Sequence, residues 1–263
     1  MIMNAPRKQS GFTLVEIAIV LVIIGLLLGG ILKGQQLINS ARVRNMADQN
    51  SGVQAAYFGF IDRFRQIPGD MSPANACTSI TSNIPNCGGT PDVGGNQDGR
   101  INEWPEAGAV WAHLSYAGFL TGTFNGQTAN AAAYEGGVLT GDVPGNAFQQ
   151  PIMLGYTDDY DRGPSTSSTV RLAYLFGAGV NPSLFRELDV KLDDGNPGTG
   201  VVRATVSTAN TGEATVGGID FGASSSVVWS ATAGPACVTN ANSATAVWNV
   251  DSDNTTCNAV FLY

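Results

Sequence analysis

Glu16 is the residue whose chemistry most needs explaining. It stands inside "GFTLVEIAIVLVIIGLLLGG", residues 11–30, an otherwise almost wholly apolar run that follows the short basic stretch "APRKQS". A carboxylate within hydrocarbon is costly and marks a functional site by default. A second group with chemical potential is "DVGGNQDGRINE", where Asp92, Asn96, Asp98, Asn102 and Glu103 surround glycines. Hard oxygen ligands on a tight glycine-rich turn suit Ca²⁺, and "NQDGRI" matches the middle of an EF-hand loop. The match fails at both ends, where Gly94 and Pro105 would have to ligate, and an Asx-turn loop accounts for the same residues. A further acidic group, Asp158, Asp159 and Asp161, reads as a solvated turn.

The remaining candidates argue against catalysis. His113 is the one histidine of the chain, so neither a two-histidine metalloprotease site nor a histidine-rich zinc site can be built. No serine stands in a G-x-S-x-G elbow. The four cysteines form two clusters, Cys77 with Cys87 and Cys237 with Cys257, with no C-x-x-C spacing. The spacing favours disulfides between sequence neighbours, each worth about 3 kcal/mol by the chain-entropy account. Disulfides in turn place this part of the chain in an oxidising compartment. Asn254-Thr-Thr is a formal glycosylation sequon.

Residues 12–32 span 21 positions, about 31 Å as a helix, which is close to the thickness of the bilayer hydrocarbon. Arg7 and Lys8 precede them, and the positive-inside rule puts that end in the cytoplasm. The run is too long for a signal-peptide core and lacks a small-residue cleavage site after it. Beyond it, Val53, Tyr57, Phe60, Ile61 and Phe64 share one helical face, and Pro68-Gly69 stops the helix. The spacing therefore predicts one helix over residues 13–66.

"GFTLVEIAIVLVIIGLL" closely resembles the N-terminal signature of type IV pilins and of the pseudopilins of type II secretion. The resemblance covers about the first 55 residues. It implies that a prepilin peptidase cuts after Gly11 and methylates the new N-terminus, Phe12. It implies further that Glu16 meets the Phe12 amino group of a neighbouring subunit during assembly. Prepilin peptidase, other pilin subunits, the inner-membrane assembly machinery and membrane lipid are the partners implied. Before assembly the chain would be a single-pass inner-membrane protein with a cytoplasmic N-terminus; afterwards it would sit in a periplasmic or cell-surface filament. Where many of these proteins carry a proline, this chain has Lys33, amid Gly25, Gly29, Gly30 and Gly34. These glycines suit either local melting of the helix or close packing through small residues. The Cys237/Cys257 pair resembles the stapled C-terminal region of type IV pilins. The order of residues 67–120 resembles one group of large prepilin-like proteins.

The rest of the chain reads as a head rich in turns. Residues 67–103 are a Gly/Pro/Asn-rich loop, and residues 106–120 a short helix. Short β-prone runs follow at 150–156, 170–176, 189–194, 200–207, 226–231, 245–250 and 258–263. In the stretch 181–200 a short helix is expected to give way to a strand ending at Asp193–Gly195. The expected fold class is α+β, with a long N-terminal helix packed on an antiparallel sheet. The divisions are residues 1–11 as leader, 12–65 as membrane and assembly helix, and 66–263 as head. Net charge is −8, but residues 66–263 hold 6 basic and 18 acidic side chains. So acidic a head repels phosphate, and no nucleic-acid partner is expected for it. Three readings follow: a structural pilus subunit, a type II secretion pseudopilin, or an adhesive or DNA-uptake minor pilin at a filament tip.

Overall fold

The computed structural model describes residues 14–85, 87, 94–126, 134, 141–165, 167, 169–207, 215–216 and 237–263. The β-prone run at 226–231 lies outside them. The chain divides into two compact units, Met1–Ala41 and Arg42–Tyr263. One helix, α1 (Leu14–Phe64), contributes to both. It has no proline in 51 residues, with Glu16 in its first turn and Arg63 in its last, each at the end the macrodipole favours.

In the first unit α1 is apolar on every side from Ile17 to Leu32. Leu14, Leu21, Leu26 and Leu32 are all more than 60% exposed, and an 18-residue stretch of this helix has a mean hydropathy of 2.8 with none of it buried. By length and composition this segment can cross a membrane. The helix runs unbroken through Gly25, Gly29, Gly30 and Gly34, and a Cβ placed on any of them would meet nothing within 4 Å. Packing among the described residues therefore supplies no reason for these glycines.

In the second unit α1 changes character. Val43, Met46, Asn50, Val53, Ala56, Tyr57 and Phe60 are buried, spaced by three and four residues so that they form one stripe. Phe60 lies within the aromatic group of Phe64, His113 and Phe119, at centroid distances of 4.5, 6.3 and 6.1 Å. Arg65, at φ 55°, leaves the helix in the left-handed conformation while its N–H still bonds the Ile61 carbonyl. A short helix, α2 (Pro73–Ser79), follows, and then α3 (Trp104–Tyr116). Helix α3 starts with a capping box between Glu103 and Glu106, and Pro105 occupies its first turn.

The main sheet has four antiparallel strands in the order β1 (Met153–Thr157), β2 (Arg171–Leu175), β8 (Ala259–Leu262), β3 (Val202–Ala204). The strand latest in sequence is thus central, pairing Tyr174 with Phe261 on one side and Val202 with Phe261 on the other. Two small two-stranded sheets join β4 (Val206–Ser207) to β5 (Thr215–Val216), and β6 (Val238–Thr239) to β7 (Val247–Trp248). Tyr263 returns the sheet to α1 by donating its hydroxyl to Asn50 Oδ1 at 2.9 Å.

One expected strand is not a strand. Residues 189–192 belong to helix α4 (Pro182–Leu192). Asn181 caps it by accepting from the Leu184 N–H, Pro182 begins it, and Glu187 and Lys191 pair along its side. The apparent alternation in "DVKLDD" is the tail of a helical pattern whose buried positions are Phe185, Leu188 and Asp189. The α+β class itself stands, with the long helix and the four-stranded antiparallel sheet.

Phe60→Ala should lower the stability of the head by about 3–5 kcal/mol, because a fully buried ring would leave a cavity. Truncating Phe58, 51% exposed one position from Tyr57, should cost much less. Urea unfolding of the two variants of the detergent-solubilised chain checks the ranking.

Candidate functional site

The N-terminal candidates are placed by α1. Glu16 lies in its first turn, exposed, beside Val15 and Ile17, which are 67% and 48% exposed. The carboxylate is thus carried on an apolar helical surface at the end where the helix dipole favours an anion. Gly11 and Phe12 lie outside the described residues.

In the head the loop at 94–103 closes on carboxylates. Asp70 accepts from the N–H groups of Asp98 at 3.1 Å and Gly99 at 2.9 Å. Glu106 accepts from Asn96 at 3.2 Å through Oε1, and from Asn102 at 2.9 Å and Glu103 at 3.2 Å through Oε2. Smaller turns lie inside this frame. The Asp98 N–H bonds Asn96 Oδ1, the Arg100 N–H bonds Asp98 Oδ1, and Asn102 Nδ2 donates to Asp98 Oδ2. Burial pushes the Glu106 carboxyl above the usual range; the N–H groups of Asn102 and Asn96 work against that, and Asp70 and Asp98 add to it.

Of the residues expected to hold Ca²⁺, Asn96, Asp98 and Asn102 come together through these bonds, and Glu103 both accepts from Asn96 Nδ2 at 3.5 Å and takes part in the capping box of α3. Asp92 lies outside the described residues. The carboxylates that actually converge are Asp70, Asp98 and Glu106, each with an oxygen within 4.8 Å of the others. Those three could offer oxygens to a hard cation. The bonds just described already engage all three with backbone amides. Glu106 is the N3 residue of a capping box whose N-cap is Glu103, so the usual Ser/Thr-x-x-Glu signal is missing from the sequence. Asp70, from a turn 28 residues before Asp98, had no local signal.

The other acidic group is not a solvated turn, since Asp159 and Asp161 are buried and bonded separately. Asp159 accepts from the Thr157 hydroxyl, while Asp161 accepts from the N–H groups of Gly163 and Asn242 and ties two distant loops together. His113 is fully buried. Its Nδ1 accepts from the Gly69 N–H at 2.9 Å, which places its own proton on Nε2. Gly69 cannot be replaced there: it has φ 93°, and a Cβ would come 2.7 Å from the Glu106 carbonyl. His113 thus joins the end of α1 to α3. The two disulfides, Cys77–Cys87 and Cys237–Cys257, pair as the spacing suggested.

Glu106→Ala strands three backbone N–H groups and should cost roughly 3 kcal/mol, at the upper end for bonds to a charged group. The loss should appear first as faster proteolysis within residues 94–103.

No curated protein and no solved structure matches the chain. A family model matches where Glu16 and the apolar half of α1 lie. Residues 6–32 carry the prokaryotic N-terminal methylation motif, the signature of type IV pilins and pseudopilins.

Proposed function

We propose that the chain is a structural subunit of a type IV pilus-like filament, cut after Gly11, N-methylated at Phe12 and polymerised through α1. The observation that carries this reading is the methylation motif at residues 6–32 on a helix whose first turn bears Glu16. Residues 1–11 serve as leader, 12–65 as membrane and assembly helix, and 66–263 as head. The motif and the long apolar helix fit anchoring in a membrane before assembly.

The assembly step follows from solvation. In hydrocarbon an isolated carboxylate and an isolated ammonium are each costly. A new subunit that brings its Phe12 amino group to Glu16 of a neighbour satisfies both, in one register only. Apolar packing of α1 supplies the bulk of the attraction; the charge pair supplies the alignment. The prepilin peptidase would create the amino group by removing the leader, so processing would precede polymerisation. The staple between Cys237 and Cys257 favours a pilus over a type II secretion pseudopilin, because it resembles the stapled C-terminal region of type IV pilins.

Glu16→Ala should leave membrane insertion and leader removal intact while cutting the yield of sheared filaments at least tenfold. Immunoblots of membrane and filament fractions check this. Wild-type filament yield from that variant would sink the pairing role.

A further inference from the structure

Asp189 is a fully buried carboxylate in the last turn of α4, where the helix dipole disfavours an anion. It joins two parts of the head. Its Oδ2 accepts from the Trp248 indole N–H at 2.8 Å and its Oδ1 from the Gly195 N–H at 3.1 Å. Trp248 stacks on Phe185 of the same helix, with centroids 5.7 Å apart. Trp248 also belongs to β7, inside the loop closed by Cys237–Cys257. The Asp189–Trp248 bond is therefore a polar fastening between α4 and that loop.

Among the described residues no cation is paired with Asp189. Asp193 and Asp194, from the segment after α4, each bring a carboxylate oxygen within 4.8 Å of it and of each other. On α4 itself, Lys191 is paired with Glu187 and Arg186 is exposed. From β3, Arg203 turns away, donating to the carbonyls of Gly200 and Asp161 and lying over the Tyr160 ring. From β7 the facing group is the uncharged indole. Asp193 and Asp194 are held in place by their own bonds, Asp193 accepting from the N–H groups of Val201 and Val202 and Asp194 from that of Asn196. They cannot swing away without breaking these.

We propose that Asp189 is a pH-sensitive latch: protonated, it fastens the Cys237–Cys257 loop to α4 through Trp248, and ionised, it is opposed by burial and by Asp193 and Asp194, so the loop is held less tightly. Burial is the main cause that pushes this carboxyl up to about 6. The indole and Gly195 N–H groups work against the rise, and the two neighbouring aspartates add to it. The folded chain therefore holds a proton that the unfolded chain releases near the ordinary aspartate value. The latch contributes fully below about pH 4, and its contribution is lost as pH rises through about 6.

The test is hydrogen exchange with mass analysis of peptides from 182–195 and 237–257, on the full chain in detergent micelles, between pH 4.5 and 8, corrected for the intrinsic rate. Protection of both segments should fall roughly tenfold as pH rises from 4.5 and should level off above about 6, with the midpoint of the fall about halfway between the unfolded and folded carboxyl values. In Asp189→Asn the step should vanish, and in Asp194→Asn the midpoint should move to lower pH. Trp248→Phe keeps the ring and removes the N–H that favours the ionised form, so its midpoint should move to higher pH; this variant serves if Asp189→Asn does not fold. A flat profile in the wild-type chain, a step that survives in Asp189→Asn, or an unmoved midpoint in Trp248→Phe would each overturn the proposal.

Discussion

The buried stripe on the outer half of α1 is the constraint on which the head depends. From Val43 to Phe60 one face of the helix must remain apolar, because the rest of the head is assembled against it. Phe60 meets His113 and Phe119, Asn50 receives the Tyr263 hydroxyl, Gln49 donates to the Gly145 carbonyl, and Arg42 lies over the Phe148 ring. These contacts come from sequence positions 53 to 213 residues away from their helix partners, the extremes being His113 with Phe60 and Tyr263 with Asn50. The stripe is what makes so many short, distant segments converge. The inner half of the same helix has no such face, as suits a segment whose partners are lipid or other helices.

A second regularity explains how a chain so poor in charge and so rich in Gly and Asn holds its loops. Carboxylates buried in the head are used as anchors for backbone amides rather than as halves of ion pairs. Asp70 and Glu106 gather the loop at 94–103, Asp161 joins 163 to 242, and Asp189 holds both Gly195 and Trp248. Both ion pairs among the described residues are local ones, at helical spacings. Anchoring of this kind has an electrostatic consequence. Burial raises the carboxyls of Glu106, Asp161 and Asp189, so each favours the folded chain more in its protonated form, and that support declines as pH rises.

Much of this was legible in the sequence where the signals are local. The apolar run, the helical stripe at 53–64 and the Pro68-Gly69 stop define α1 almost to its ends. The cysteine spacing indicates both disulfides. The central strand β8 and its neighbour β2 fall within β-prone runs. Failures arose where the determining contact is distant or where two periods overlap. Period-two alternation in "DVKLDD" competed with a capped helix, and the cap at Asn181 won. The carboxylate cluster of the 94–103 loop could not be found from loop residues alone, because Asp70 reaches it from the turn after α1. Burial of the single histidine likewise depends on Gly69, 44 residues earlier.

The central claim is that a processed α1 is the polymerising element. Its most direct test is the mass of the N-terminal peptide of the chain recovered from sheared surface filaments. The account predicts a peptide that begins at N-methylated Phe12. A chain that begins at Met1 or Met3 would contradict it and would leave α1 as an ordinary membrane anchor.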